Sequence, residues 1–151
     1  MGGTRGTPMR SWVFLLYKLP PEPSAPRVHV WRKLKRLGAL LLHDAAWVLP
    51  STPTTTEQLQ WLAQEILEFE GSATVWETHA SLPGQDEALV HRFSTQADAA
   101  YHEIQAELER PGADLAALSR RYRQVQALDY FNSPHGKQVR HALKHLREAT
   151  G

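Results

Sequence analysis

The stretch Pro26–Pro50 of this 151-residue chain, PRVHVWRKLKRLGALLLHDAAWVLP, is the most informative part of the sequence for predicting the fold. It contains a strongly basic segment, a glycine and an apolar hairpin. Pro26 suits the first turn of a helix, where its missing N–H would have had no partner. Gly38 favours a left-handed stop after Leu37. The sequence therefore predicts a helix from Pro26 to Leu37, and then two short strands within Ala39–Leu49 that turn near His43-Asp44.

The two sides of this helix differ in chemistry. At 100° per residue, one apolar stripe forms, and it consists of Val30, Trp31, Leu34 and Leu37. The opposite arc is basic and consists of Arg32, Lys33, Lys35 and Arg36, and Arg27 adds a further cation in the first turn. We interpret the stripe as core. The basic arc is not needed for folding, and it is the first place to look for function.

The stretch before this helix, Ser11–Leu19, reads as a strand with apolar residues on both faces. Such a strand is expected to lie in the centre of a sheet. Thr54-x-x-Glu57 has the pattern of a capping box and predicts a helix through Phe69, with Gly71 as its stop. Residues 73–79 then read as a further strand.

The order strand, helix, strand, strand, helix, strand predicts an α+β fold, the ferredoxin-like βαββαβ sheet with both helices on one face. The other sheet face must then be covered by a dimer partner or by the C-terminal segment. That segment, residues 81–151, has helical periodicity throughout and predicts a bundle of about three helices. We expect a flexible leader over residues 1–10, the α+β domain over residues 11–80, and the helical segment packed on it as one compact unit.

Charge is segregated along the chain, although the formal net charge is only +1. Residues 1–50 carry eight Lys or Arg and two Asp or Glu, residues 51–117 carry two and twelve, and residues 118–151 carry seven and two. Such asymmetry favours polar partner surfaces, either nucleic acid on the basic parts or acidic-to-basic contact within the fold or a dimer. Solvated helix faces of different sign would produce the same pattern.

The chain has no cysteine, which excludes disulfides, thiolate metal sites and a cysteine nucleophile. The apolar run Trp12–Tyr17 is too short for a secretory signal, and no stretch approaches the length of a membrane span. These features favour a soluble, cytoplasmic protein that does not contact a membrane.

Several stretches resemble the N-terminal domain of ChrB, the bacterial chromate-resistance regulator. They are SWVFLLYKLPPEPSAPRVHVWRKLKRLGALLLHDAAWVLP, then WLAQEI and ATVWE, and near the end DYFNSPHGKQVRHAL. The resemblance covers roughly residues 11–148. It also extends to the middle domain of PaaX-type transcriptional repressors, which is similar to the small CRISPR-associated endonuclease fold.

The resemblance implies a module that regulates transcription in the chromate response. ChrB regulators repress resistance genes and are relieved by chromate, and they carry a second, C-terminal domain that we do not expect in this sequence. The implied partners are promoter DNA, chromate or another oxyanion, a second copy of the chain, or a protein that carries the missing domain.

Phosphate binding needs several cations on one surface, and arginine grips oxyanions in a bidentate manner. The basic arc supplies such cations, and a solvated outer helix face is the competing interpretation. A second, weaker candidate is the stripe Lys137, Arg140, Lys144 and Arg147, accompanied by Arg120, Arg121 and Arg123. The residues we predict to bind nucleic acid or anions are Arg27, Arg32, Lys33, Lys35, Arg36, Arg140, Lys144 and Arg147.

No catalytic or metal site is predicted, and no cofactor. His141 and His145 share a helix face but have no third ligand and lie among cations. The nuclease chemistry of the CRISPR-associated fold uses an acidic residue at the end of the first strand, and this chain has Tyr17-Lys18-Leu19 there. Serine-hydrolase, P-loop and dinucleotide motifs are absent.

Two classes of function remain. One is a DNA-binding regulatory module that acts through the basic helix. The other is a structural or dimerisation module that does not bind DNA and instead docks an acidic partner or binds an oxyanion such as chromate.

Overall fold

A computed structural model describes residues 10–150. Nearly all of the predicted leader, residues 1–9, therefore lies outside the described residues. The chain forms two compact units, which meet in sequence between Asp86 and Glu87.

Within residues 10–86, the first unit is a four-stranded antiparallel sheet with two helices, in the strand order β2-β3-β1-β4. This order and the βαββαβ succession confirm the ferredoxin-like prediction. The elements are β1 (Trp12–Lys18), α1 (Ala25–Arg36), β2 (Leu40–Leu42), β3 (Ala46–Pro50), α2 (Pro53–Glu68) and β4 (Ser72–Thr78).

Strand β1 lies between β3 and β4, which confirms its predicted central position. Its residues Val13 and Leu15 are fully buried. Helix α2 packs against β1 and β4 and contributes the fully buried Leu59, Leu62 and Ile66 to the core.

The other face of β1 is only partly covered. At one end Trp12 is buried, and its indole Nε1 donates a hydrogen bond to Asp86 Oδ1 at 2.9 Å. Further along, Leu16 is 40% exposed and Trp76 on β4 is 58% exposed. Cover by a second copy or by the C-terminal segment stays a prediction at this end of the sheet.

The hairpin between β2 and β3 turns at the predicted place. His43 and Asp44 both have positive φ, 51° and 56°, the left-handed pair that a tight hairpin needs. Gly38 has a φ of 79° and so confirms the predicted left-handed stop after α1.

The predicted start of α2 was wrong. The N-cap is Thr52, which is extended, and its hydroxyl accepts a hydrogen bond from the backbone N of Thr55 at 3.0 Å. Thr55 Oγ1 accepts in return from Thr52 N at 2.9 Å. Pro53 is thus the first helical residue. Glu57 lies on the exposed side, where its carboxylate accepts a 3.3 Å hydrogen bond from Nε1 of the exposed Trp61.

The residue that ends α2 in the left-handed region is Glu70, with a φ of 65°, and not Gly71 as predicted. Gly71 serves a different purpose. A Cβ there would lie 2.5 Å from the carbonyl oxygen of Lys18 and 2.8 Å from Leu19 Cδ2. The glycine lets the chain pass close to the end of β1.

The second unit contains three helices, α3 (Gln85–Leu108, which begins just before the unit), α4 (Leu115–Ala127) and α5 (Pro134–Thr150). The predicted number of helices is confirmed. The core of the unit consists of Ala97, Tyr101, Ile104, Leu108, Leu118, Tyr122, Val139 and Leu143. At the start of α5, Ser133 Oγ accepts a hydrogen bond from His135 N at 3.2 Å, as a cap requires. No helix within residues 10–150 is long and apolar enough to cross a bilayer.

Candidate nucleic-acid and anion interface

The orientation of α1 follows from its buried side. Val30 and Leu34 are fully buried and Leu37 is half-buried, as the stripe predicts. Trp31 is different: its side chain is 52% exposed, so its predicted place in the core was wrong. It lies one position, or 100°, from Val30, which turns it out of the core and towards the basic arc.

Four cations of α1 are exposed to solvent: Arg27, Arg32, Lys35 and Arg36. Within residues 10–150 no carboxylate oxygen lies within 4.0 Å of any of them. Their charge is therefore not neutralised locally. Together with the exposed Trp31 they form what we call the α1 basic face.

Lys33 does not belong to this face. Its Nζ lies 2.9 Å from Glu65 Oε2 on α2, and His29 Nε2 lies 3.0 Å from Oε1 of the same carboxylate. Burial would raise the pKa of Glu65, but the hydrogen bonds and charges of Lys33 and His29 outweigh it and hold this pKa below its usual value. Glu65 is thus ionised at neutral pH, and Lys33 ties α1 to α2.

Trp31 gives the α1 basic face an aromatic surface. The Nζ of Lys35 lies 5.9 Å from the centroid of its ring, within the range of a cation–π contact. Val28, 41% exposed, lies beside it. An aromatic plane among unpaired cations is the combination that proteins use to hold phosphates and stack bases.

Two shallow grooves flank this face and share Val28, Trp31 and Arg32. The groove of about 710 Å³ runs along the outer side of α1 past Lys35 and Arg36. The groove of about 600 Å³ runs from Arg27 to the end of β1. There, burial raises the pKa of Tyr17, against the lowering effects of a hydrogen bond to Trp47 and of the Arg27 charge.

The remaining predicted residues, Arg140, Lys144 and Arg147, lie on α5 in the second unit, and all three are exposed. Arg147 lines a groove together with residues of α4. The structure therefore groups Arg27, Arg32, Lys35 and Arg36 on one helix face. It places the other predicted cations on a different element and separates Lys33 from both sets.

Other candidate chemistry finds little support. His141 and His145 are both exposed on α5. Residues 10–150 contain no group of three His, Asp or Glu side chains arranged for a metal ion.

Residues 27–107 match the family model described as "Protein ChrB, N-terminal". The chain is also similar to Protein ChrB of Cupriavidus metallidurans, with 27% identity over 143 residues. The aligned region covers 87% of this chain and 44% of that protein, so the chain spans less than half the length of this relative. No solved structure matches the chain.

Proposed function

The chain belongs to the ChrB N-terminal family, and from this membership we propose that it is a regulatory module that binds DNA through the α1 basic face. The unpaired state of Arg27, Arg32, Lys35 and Arg36 carries this proposal. A cation that already has a carboxylate partner must give it up to bind phosphate. Within residues 10–150 these four have no such partner to lose, and each phosphate contact releases condensed counterions from DNA.

The biological setting we propose is the chromate response. It rests on the resemblance to ChrB regulators, in which a C-terminal domain accompanies the N-terminal one. We propose that the chain acts in the cytoplasm without catalysis, on promoter DNA. A protein that carries the C-terminal part of such a regulator is the natural partner to test.

The test is fluorescence anisotropy with a labelled promoter duplex at several salt concentrations. With four phosphate contacts, the slope of log K against log[salt] is expected to be about −3.6. The double variant Arg32→Gln/Lys35→Gln removes two charges. It is expected to lose affinity on any sequence and to reduce the slope by about two.

Lys33→Gln is the matched control, because it removes one charge from the same helix at a side chain that faces Glu65. Its slope is expected to stay close to that of the unmodified chain. If the Lys33 variant lost as much DNA affinity as single Arg32 or Lys35 variants, net charge, and not the α1 basic face, would govern binding. Absence of DNA binding even at low salt would refute the proposal.

One observation favours the alternative, a dimerisation module that does not bind DNA. Strand β4 has seven residues and lies at an edge of the sheet, where within residues 10–150 it pairs only with β1, and it carries the exposed Trp76. Edge strands offer unpaired backbone groups to another chain. Light scattering after size exclusion tests this function. A dimer that Trp76→Lys dissociates, in a chain without DNA affinity, would support the alternative.

A further inference from the structure

A second basic site lies within the helical unit, in a groove between α4 and α5. The groove has a volume of about 520 Å³. Its lining combines three arginines with small and apolar side chains, namely Leu115, Ala116, Ser119, Arg120, Arg123, Arg147 and Thr150. We call it the α4–α5 groove.

The three arginines come from two helices. Arg120 and Arg123 are three residues apart on α4, and Arg147 is near the end of α5. All three are exposed, and within residues 10–150 none lies within 4.0 Å of a carboxylate oxygen. Three guanidinium groups around one groove repel each other, and this repulsion falls when an anion lies between them.

The neighbouring Arg121 differs from the three groove arginines, because it has a carboxylate partner. Its Nη2 lies 2.5 Å from Glu103 Oε2 on α3, so its charge is paired on the other side of α4. Asp114, the residue before α4, is also engaged. It caps α4 by accepting a hydrogen bond from Ala117 N at 3.1 Å.

Ser119 provides a second, independent observation. The residue is only 8% exposed, and its buried Oγ has no hydrogen-bond partner within residues 10–150. A buried hydroxyl without a partner costs free energy. Ser119 belongs to the groove lining, so an oxyanion bound there would give this hydroxyl an acceptor.

We propose that the α4–α5 groove binds a phosphate group, held by Arg120, Arg123 and Arg147 with Ser119 as an additional donor. Guanidinium groups pair with such oxyanions through parallel hydrogen bonds. The groove exceeds the size of a bare phosphate, and Leu115 and Ala116 add apolar surface. A phosphate monoester with a small organic body therefore fits it best. The site does not depend on DNA binding by α1.

The test is isothermal titration of the full chain with inorganic phosphate and, separately, with a nucleoside monophosphate. We expect saturable binding of both, tighter for the monoester. The double variant Arg120→Gln/Arg123→Gln is expected to weaken the binding of both probes at least ten-fold. Ser119→Ala is expected to weaken it a few-fold without lowering the unfolding temperature. A stabilised Ser119→Ala variant with unchanged binding would show that the hydroxyl takes no part.

Arg121→Gln is the matched control, since it removes the same charge from the same helix on the side that faces Glu103. It is expected to bind both probes as the unmodified chain does. A DNA duplex without terminal phosphates is titrated as well, to test whether the groove instead binds the phosphates of a DNA backbone. If the Arg120 and Arg123 variants lose DNA affinity while neither small probe binds the unmodified chain, the groove is a backbone contact and the proposal is overturned. Absence of any phosphate binding overturns it as well.

Discussion

The ammonium Nζ of Lys33 lies 2.9 Å from Glu65 Oε2, and this contact divides the cations of α1 into two groups. Lys33 connects the two helices of the sheet unit. Arg27, Arg32, Lys35 and Arg36 remain exposed to solvent and available to a partner. Residues that look equivalent in the motif WRKLKR therefore have different surroundings.

This ion pair is expected to contribute to stability in a pH-dependent manner. The pKa of Glu65 is lowered in the folded chain, so its contribution is present above the unfolded pKa of about 4.3. It is lost as the pH falls through the folded pKa. Glu65→Gln should reduce the free energy of unfolding by less than about 1 kcal/mol at pH 7, because the pair is partly exposed, and by a smaller amount at pH 3.

Urea unfolding at the two pH values measures this difference. Glu68→Gln is the control, since Glu68 is exposed on the same helix and forms no ion pair within residues 10–150. If Glu65→Gln were equally destabilising at pH 3 and pH 7, packing would explain its effect and not charge.

Trp31→Ala is expected to affect binding more than folding. The side chain is 52% exposed, so we expect its removal to cost less stability than Leu34→Ala, which should cost about 2–5 kcal/mol. Affinity for a single-stranded oligonucleotide should fall on the order of ten-fold, since stacking on an aromatic ring contributes about 1–3 kcal/mol per base.

Anisotropy titrations and urea unfolding of the same variants test this prediction. Trp61→Ala is the control, because Trp61 is similarly exposed but lies on α2 beside Glu57. Unchanged affinity in the Trp31 variant would show that the ring takes no part in binding.

Gly71→Ala is expected to destabilise the sheet unit by about 3 kcal/mol, the upper end for overpacking. The new methyl group would lie 2.5 Å from the backbone oxygen of Lys18, which a rotamer change cannot relieve. Gly84→Ala is the comparison. Gly84 has a φ of +84° and no atom within 4 Å of the added Cβ, so only the backbone penalty of about 1–2 kcal/mol applies. Thermal unfolding should rank the two in this order.

Tyr101→Phe is expected to destabilise the helical unit by about 1–3 kcal/mol near pH 7, because the phenol donates a 2.9 Å hydrogen bond to the Asp129 carboxylate. Burial, and then Asp129, raise the pKa of Tyr101. Its folded pKa exceeds the unfolded value of about 10, so the stabilisation is complete below pH 10 and declines above it.

The gap in stability between the unmodified chain and the Phe variant should therefore narrow between pH 10 and pH 11.5. Chemical denaturation at pH 8, 10 and 11.5 measures it. The other tyrosines are common to both proteins and cancel in the difference. A gap that is constant with pH would contradict the raised pKa.

The local sequence pattern was sufficient to predict the structure where a single feature of the sequence determines it. The period of Val30 and Leu34, the glycine at position 38 and the turn at His43-Asp44 each predicted what the structure shows, because a single local preference determines them. The pattern failed at Trp31, since a residue at the edge of a stripe is buried or exposed according to its neighbours in space. Nothing in the sequence showed that the hydroxyl of Ser119 is buried without a partner.

The prediction of the α2 N-cap failed for a related reason. Both Thr52 and Thr54 have a hydroxyl that can cap a helix. Glu57, three residues after Thr54, completed the capping-box pattern there and so favoured Thr54, which is not the N-cap. The extended backbone of Thr52 after β3 decided between them.

The sequence by itself determined the succession of elements, the family and the presence of two basic regions, because periodicity, turn residues and composition are local properties. Only the tertiary structure decided which cations are available. Lys33 and Arg121 meet carboxylates that lie 32 and 18 residues away in sequence, whereas their neighbours meet none within residues 10–150. An ion pair depends on distance in space, and the fold sets that distance.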